Sequence, residues 1–253
     1  MSARSSAKSR VPAVGKDSDD HPSVAARALS QIIERGARVQ APAVKAYVER
    51  LREHDPEATP AEIVGKLEKH YLAAVMASGA AVGSAAAFPG IGTLVALSAV
   101  AGETVVFLEA TAVFVLATAE VYGIPADHRE RRRALVLAVL VGDDGKHAVA
   151  DLIGSGRTSG AWISDGAASL PLPAVSQLNS RLLKYFVKRY TLKRGAIAFG
   201  KLLPVGIGAV VGGVGNRMMG RKIIANSRQA FGNPPPRWPS TLHVLPVAPP
   251  SQQ

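Results

Sequence analysis

The sequence predicts an all-α fold: a helical bundle with two apolar helical hairpins interrupted by Gly, Ala and Pro, and with disordered termini. Three observations predict it. Apolar residues recur at helical spacing over most of the chain, whereas strand-type alternation is hard to find. Between Tyr71 and Gly102 there is no Asp, Glu, Lys, Arg or His, and Ala, Gly and Ser replace large side chains around Phe88-Pro89-Gly90-Ile91-Gly92. Thr59-Pro60-Ala61-Glu62 is a complete helix start, with Thr at N-cap, Pro at the first helical position and Glu placed to answer the free amides.

A polar leader over residues 1–22 has no apolar core of a signal peptide. Ser23 can cap a helix over residues 23–40, whose stripe is Val24, Ala28, Leu29, Ile32 and Ile33. A shorter helix follows Pro42, over residues 43–54. The helix that starts at Thr59 enters the uncharged run and should break at Pro89, which lacks an amide and clashes with the preceding turn. Its partner should run from Ile91 to about Tyr122, stopped by Gly123 and Pro125. Small residues at four-residue spacing, such as Gly79 and Gly83, allow close backbone approach within this first hairpin or between copies of the chain.

Residues 129–140 read as a helix with a basic start, and residues 146–153 as a short one after Gly142-Asp143-Asp144-Gly145. Residues 154–166 form a Gly and Ser loop. Over residues 174–199 a long amphipathic helix carries Val175, Leu178, Leu182, Phe186 and Tyr190 on one side and Arg181, Lys184 and Lys188 on another. Pro204 interrupts a second apolar stretch, residues 202–215, and a basic helix covers residues 216–231. The expected organisation is a leader over 1–22, one helical domain over 23–231 and a proline-rich disordered tail over 232–253.

The net charge of +11 is segregated: after Asp165 there is no Asp or Glu, while twelve Lys and Arg follow. Such a block attracts anionic lipid headgroups, nucleic acid or an acidic protein. Arg131, Arg132 and Arg133 follow the first hairpin, and Lys184, Lys188, Arg189, Lys193 and Arg194 precede the second apolar stretch. Arg217, Arg221 and Lys222 come after it. These cations are the expected headgroup contacts, and basic flanks favour the cytoplasmic face of the membrane, with the hairpins inserted fully or partway. Glu103, Glu109 and Glu120 are the polar exceptions in the second arm. Glu109 and Glu120 share one helical face and Glu103 lies on another, so they are candidates for buried carboxylates paired inside the bundle.

No catalytic, cofactor or metal site is expected. Gly195 to Lys201 has the spacing of a phosphate-cradling loop, but Leu202 replaces the magnesium-binding hydroxyl and no strand precedes it. Gly206-Ile207-Gly208 is out of register for a dinucleotide fingerprint. Asp144, His147 and Asp151 align on one helical face, yet an Asp there caps the helix more simply. No nucleophile elbow or zinc-protease motif is present, and the absence of cysteine excludes disulfides and thiolate metal sites.

Several of these segments together resemble the bacterial EcsC family. They are Pro89-Gly90-Ile91-Gly92, the Ala-rich helix ending in Tyr122-Gly123, Gln177-Leu178-Asn179, and the run from Gly200-Lys201-Leu202-Leu203-Pro204-Val205-Gly206 to Gly212-Gly213-Val214-Gly215-Asn216. The resemblance spans residues 59–231. It implies a helical, membrane-associated protein, named for a gene beside an ABC transporter, with no catalytic residues to carry over. The expected function is therefore that of a non-catalytic accessory to a transporter or other membrane complex. The alternative is a soluble bundle that binds an acidic protein or nucleic acid through the basic C-terminal region, where Tyr185, Phe186 and Tyr190 interleave with the cations.

Overall fold

The computed structural model describes residues 41–85, 93–142, 163, 170–200 and 207–239. Within them the chain is helical and contains no strand. The helices expected over residues 23–40 and 146–153, and both hairpin apices at Pro89 and Pro204, lie outside the described residues. Six helices remain: α1 (Ala41–His54), α2 (Pro60–Ala85), α3 (Thr93–Val121), α4 (Arg129–Val141), α5 (Leu172–Gly200) and α6 (Ile207–Phe231).

Helix α2 begins at the expected capping box. The Thr59 amide and hydroxyl donate to one Glu62 carboxylate oxygen at 2.7 and 2.9 Å, and the Glu62 amide donates back to Thr59 Oγ1 at 3.3 Å. Free amides of the first turn are thus answered by side chains. From there α2 buries Ile63, Leu67, Tyr71 and Val75 on a single stripe.

Helix α3 is the centre of the bundle, touching α1, α2, α4 and α6. Its second half is apolar except for one exposed face, and Ala112, Val115, Ala117, Ala119 and Val121 are fully buried. An apolar surface that wraps most of a helix has to be enclosed by its neighbours. Alanines admit the neighbouring backbones, while Phe114 stacks on Tyr71 at 4.8 Å between ring centroids. The Tyr71 hydroxyl shares a 2.9 Å hydrogen bond with Thr111, and burial pushes its pKa upward. The helix stops where expected: Gly123 has φ +67°, its amide donates to Glu120 O, and the Ile124 amide donates to Ala119 O. This paired closure needs a left-handed residue, which glycine adopts without strain.

Helices α4 and α5 pack together. The expected stripe of α5 is seen in its first four members, since Val175, Leu178, Leu182 and Phe186 are all buried. Buried Asn179 ties the pair by donating to the Glu130 carbonyl at 3.0 Å and to its carboxylate at 2.8 Å.

The second expected hairpin is not closed among the described residues. Helix α6 takes α2 as its main partner, and α5 takes α4. A glycine seam explains the choice: at Gly220 the α6 backbone comes so near α2 that an added Cβ would stand 3.0 Å from Val75 Cγ2 and 3.1 Å from Leu72 Cδ1.

Of the expected tail, residues 240–253 lie outside the described residues. Residues 232–239 are ordered against the bundle, with no regular structure of their own. Tyr122 donates to the Gly232 carbonyl at 2.7 Å, and the Trp238 indole donates to the Ala58 carbonyl at 3.1 Å. Arg52 lies over the Trp238 ring at 4.1 Å. Proline-rich composition excludes a helix here, but one tryptophan with a carbonyl and a cation in reach is enough to hold an irregular strap.

Candidate functional site

The expected headgroup contacts fall into three sets. In α4 the arginines turn toward the protein: Arg131 donates to the Leu170 carbonyl at 3.2 Å, and Arg132 donates to Ala126 O at 3.0 Å and Asp127 O at 2.7 Å. Arg133 is half-buried and also has a partner. These residues tie loops to the bundle. In α5, Lys184 is exposed, while the side chains of Lys188, Arg189, Lys193 and Arg194 lie outside the described residues. The aromatics beside them divide, with Tyr185 at 41% exposure and Phe186 in the core. In α6, Arg217, Arg221 and Lys222 are all exposed.

The acidic candidates divide as well. Glu103 is buried at 8% exposure, as expected, and has a partner. Glu109 and Glu120 do share one face, but that face is exposed and they are not buried carboxylates. On a helix enclosed on its other sides, the polar side chains mark the one direction left to water.

Helix α6 presents an unusual outer surface. At 100° per residue, Val214, Met218, Arg221 and Ala225 follow the middle of its exposed face, with Arg217 and Arg228 along one edge and Met219 and Lys222 toward the other. Val214, Met218 and Met219 are 51%, 69% and 44% exposed. Large apolar groups thus stand in water among exposed cations.

Antiparallel registers give this surface a direction. Glu68 meets Arg228, Leu72 and Val75 meet Gly220, and the Val75 carbonyl accepts from Asn216 at 2.9 Å, so α6 runs opposite to α2. Residues 86–92 join α2 to α3, and Tyr71 pairs with Thr111 about four turns before the junction and five after it, so α3 is also antiparallel to α2. The charge-free segments 72–85 of α2, 93–102 of α3 and 207–216 of α6 therefore lie at one end of the bundle. The outer face of α2 changes character at the same level. Glu62, Lys69 and His70 are followed by exposed Ala73, Ala77, Ala80 and Ala81. Lys69, Arg217, Arg221 and Lys222 stand around the boundary.

Just on the polar side of that boundary lies an ion pair that sequence reasoning missed. Arg228 donates through Nε to Glu68 Oε1 at 2.7 Å and through one Nη to Oε2 at 2.5 Å. Glu68 is buried at 9% exposure, and its carboxylate holds the guanidinium even more firmly protonated. A usable signal existed. With no acid after Asp165, any C-terminal cation that is paired in the fold has to reach back into the first two thirds of the chain.

Two depressions flank the pair. One is an open groove of about 660 Å³ between α2 and α6, lined by Lys69, Leu72, Arg221, Ile224, Ala225 and Arg228 among others. The other is a cleft of about 230 Å³ where Glu68, Thr118, Tyr122 and Ser227 approach the start of the strap. Burial first, and the Glu68 charge second, push the Tyr122 pKa up to about 12, so its phenol stays a hydrogen-bond donor. Among the described residues no three His, Asp or Glu come together as cation ligands, and the Asp144, His147 and Asp151 set lies outside them. Comparison with known protein families, curated proteins and solved structures finds no match.

Proposed function

We propose that this protein is a non-catalytic, membrane-associated helical bundle that seats its charge-free end in one leaflet of an anionic membrane at the cytoplasmic face. The observation that carries this reading is the coincidence, at one end, of three uncharged helix segments and, at its boundary, exposed cations of α2 and α6. Lengths favour dipping over spanning. Residues 72–85 make about 20 Å of helix, and residues 93–102 and 207–216 about 15 Å each, against a hydrocarbon core of roughly 30 Å. Segment Gly102–Val121 has the length and hydropathy of a span, 20 residues at 1.8, but 61% of it is buried inside the protein and its free face carries Glu109 and Glu120. It serves as the core of the soluble body instead.

Basic residues at the boundary gain roughly 1 kcal/mol each near an anionic surface, and exposed Met and Val gain by leaving water. The EcsC resemblance agrees with this reading, and a partner role beside a transporter or membrane complex follows from it. The rival is a soluble bundle taking an acidic protein or nucleic acid on the same cations, favoured by the enclosure of residues 108–121. Fractionation in low salt, high salt and detergent separates the two, since release by salt alone overturns insertion. Protease protection of the full chain on anionic against neutral vesicles is the second test, with protection of residues 72–102 expected only where lipid is present.

A further inference from the structure

We infer that the groove between α2 and α6 is a binding site for a single anionic glycerophospholipid, with the phosphate held by Lys69, Arg221 and Arg228 and an acyl chain laid over Leu72 and Ile224 toward the charge-free end. This deepens the membrane reading and rests on it. Cations reach the groove from both helices: Lys69 from α2, and Arg221 and Arg228 from α6, seven residues apart and so on one side of it. Lys69 and Arg221 have no carboxylate partner among the described residues. Arg228 is held in place by Glu68 through Nε and one Nη, which leaves its other Nη free to donate, and its side chain is 69% exposed even while paired. A guanidinium fixed by a carboxylate on one edge offers an oriented donor on the other.

Three cations against one carboxylate leave the groove with a surplus of positive charge. The floor is apolar, with half-buried Leu72 and Ile224 beside Ala225. Inorganic phosphate would leave that floor wet. A zwitterionic headgroup brings its own ammonium against Lys69 and Arg221. An anionic diacyl phosphodiester satisfies both the cations and the floor, and the seam continues toward exposed Ala73 and Met218, where an acyl chain joins the leaflet.

The test uses the full chain, short-chain soluble phosphatidylglycerol as probe, and short-chain phosphatidylcholine and inorganic phosphate as comparators, read by calorimetric titration. A Lys69→Gln, Arg221→Gln double variant is expected to bind the phosphatidylglycerol at least about tenfold more weakly. Lys45→Gln, an exposed cation of α1 outside the groove and away from the charge-free end, is expected to leave that affinity unchanged. Unfolding midpoints of both variants verify that the bundle is intact, because none of the three residues is paired within it among the described residues. Equal affinity for inorganic phosphate or for phosphatidylcholine overturns the lipid assignment, as does an unchanged affinity in the double variant. Pelleting with anionic vesicles that persists in high salt reports the insertion reading separately. Short-chain lipid bound without such pelleting keeps the groove and sinks insertion, and pelleting without it does the reverse.

Discussion

Arg228 and Glu68 are 160 residues apart in sequence and join through two hydrogen bonds, at 2.7 and 2.5 Å, that pin the last helix to the second. The partners are not equivalent, since Glu68 is nearly buried while Arg228 remains largely exposed. Arg228→Ala leaves a carboxylate without its counter-charge and is expected to cost about 2 kcal/mol, whereas Glu68→Gln keeps the shape and is expected to cost about 1 kcal/mol. Urea unfolding of both single variants and the double variant reads the coupling.

The strap is expected to carry stability out of proportion to its length. Trp238→Ala removes the Ala58 hydrogen bond and the Arg52 contact, for an expected loss of about 2 kcal/mol. Gly123→Ala acts on the same contact from the other side: the new Cβ would sit 2.7 Å from Pro239 Cβ on a backbone at φ +67°. Its strain alone is about 1 kcal/mol or more. In a Trp162→Phe background, Gly123→Ala should move the Trp238 emission to longer wavelength, and urea unfolding reads the loss in Trp238→Ala.

At the start of α2, Thr59→Ala is expected to cost about 1 kcal/mol. Hydrogen bonds from Thr59, the backbone amide first and the hydroxyl second, hold the Glu62 carboxyl below the usual range. A depressed folded pKa contributes stability that is complete above the unfolded value, roughly pH 4, and drains as pH falls through the folded one. Glu62→Gln should flatten that part of an acid titration followed by circular dichroism.

Tyr122 has the opposite sign. Its folded pKa of about 12 lies above the unfolded value of 10.0, so its stabilising contribution is complete below that value and is lost as pH rises toward the higher one. Tyr122→Phe removes this alkaline sensitivity and also the hydrogen bond to Gly232, at an expected cost of about 1 kcal/mol near neutrality. Unfolding midpoints across the alkaline range separate the two effects.

Gly220 sets the spacing of α2 and α6. Gly220→Leu is expected to force them apart and cost about 2–3 kcal/mol, while Gly220→Ala asks only that Leu72 and Val75 yield a few tenths of an ångström. Thermal unfolding should rank the two clearly.

What the sequence disclosed was local. The capping box, the Gly123 stop and the α5 stripe follow from interactions a few residues long, and each stands where the periodicity placed it. Helical arithmetic also put Glu109 and Glu120 together correctly, but whether their face looks inward depends on which helices surround α3. The α4 arginines read as surface charge because their acceptors, the carbonyls of Ala126, Asp127 and Leu170, have no residue signature. For the strap, composition reported only the lack of regular structure. It could not report that Trp238 would find Ala58.

The pairing of α2 with the final helix also sets an order of events during synthesis. Leu72, Val75 and the Glu68 carboxylate lack their α6 partners until Gly220 and Arg228 have left the ribosome, so that side of α2 waits for some 150 residues of translation. Closing a loop of that size is a late step. The nascent chain thus carries that strip of α2 without its final partner until the last helix emerges, and the length of the wait is set by the topology.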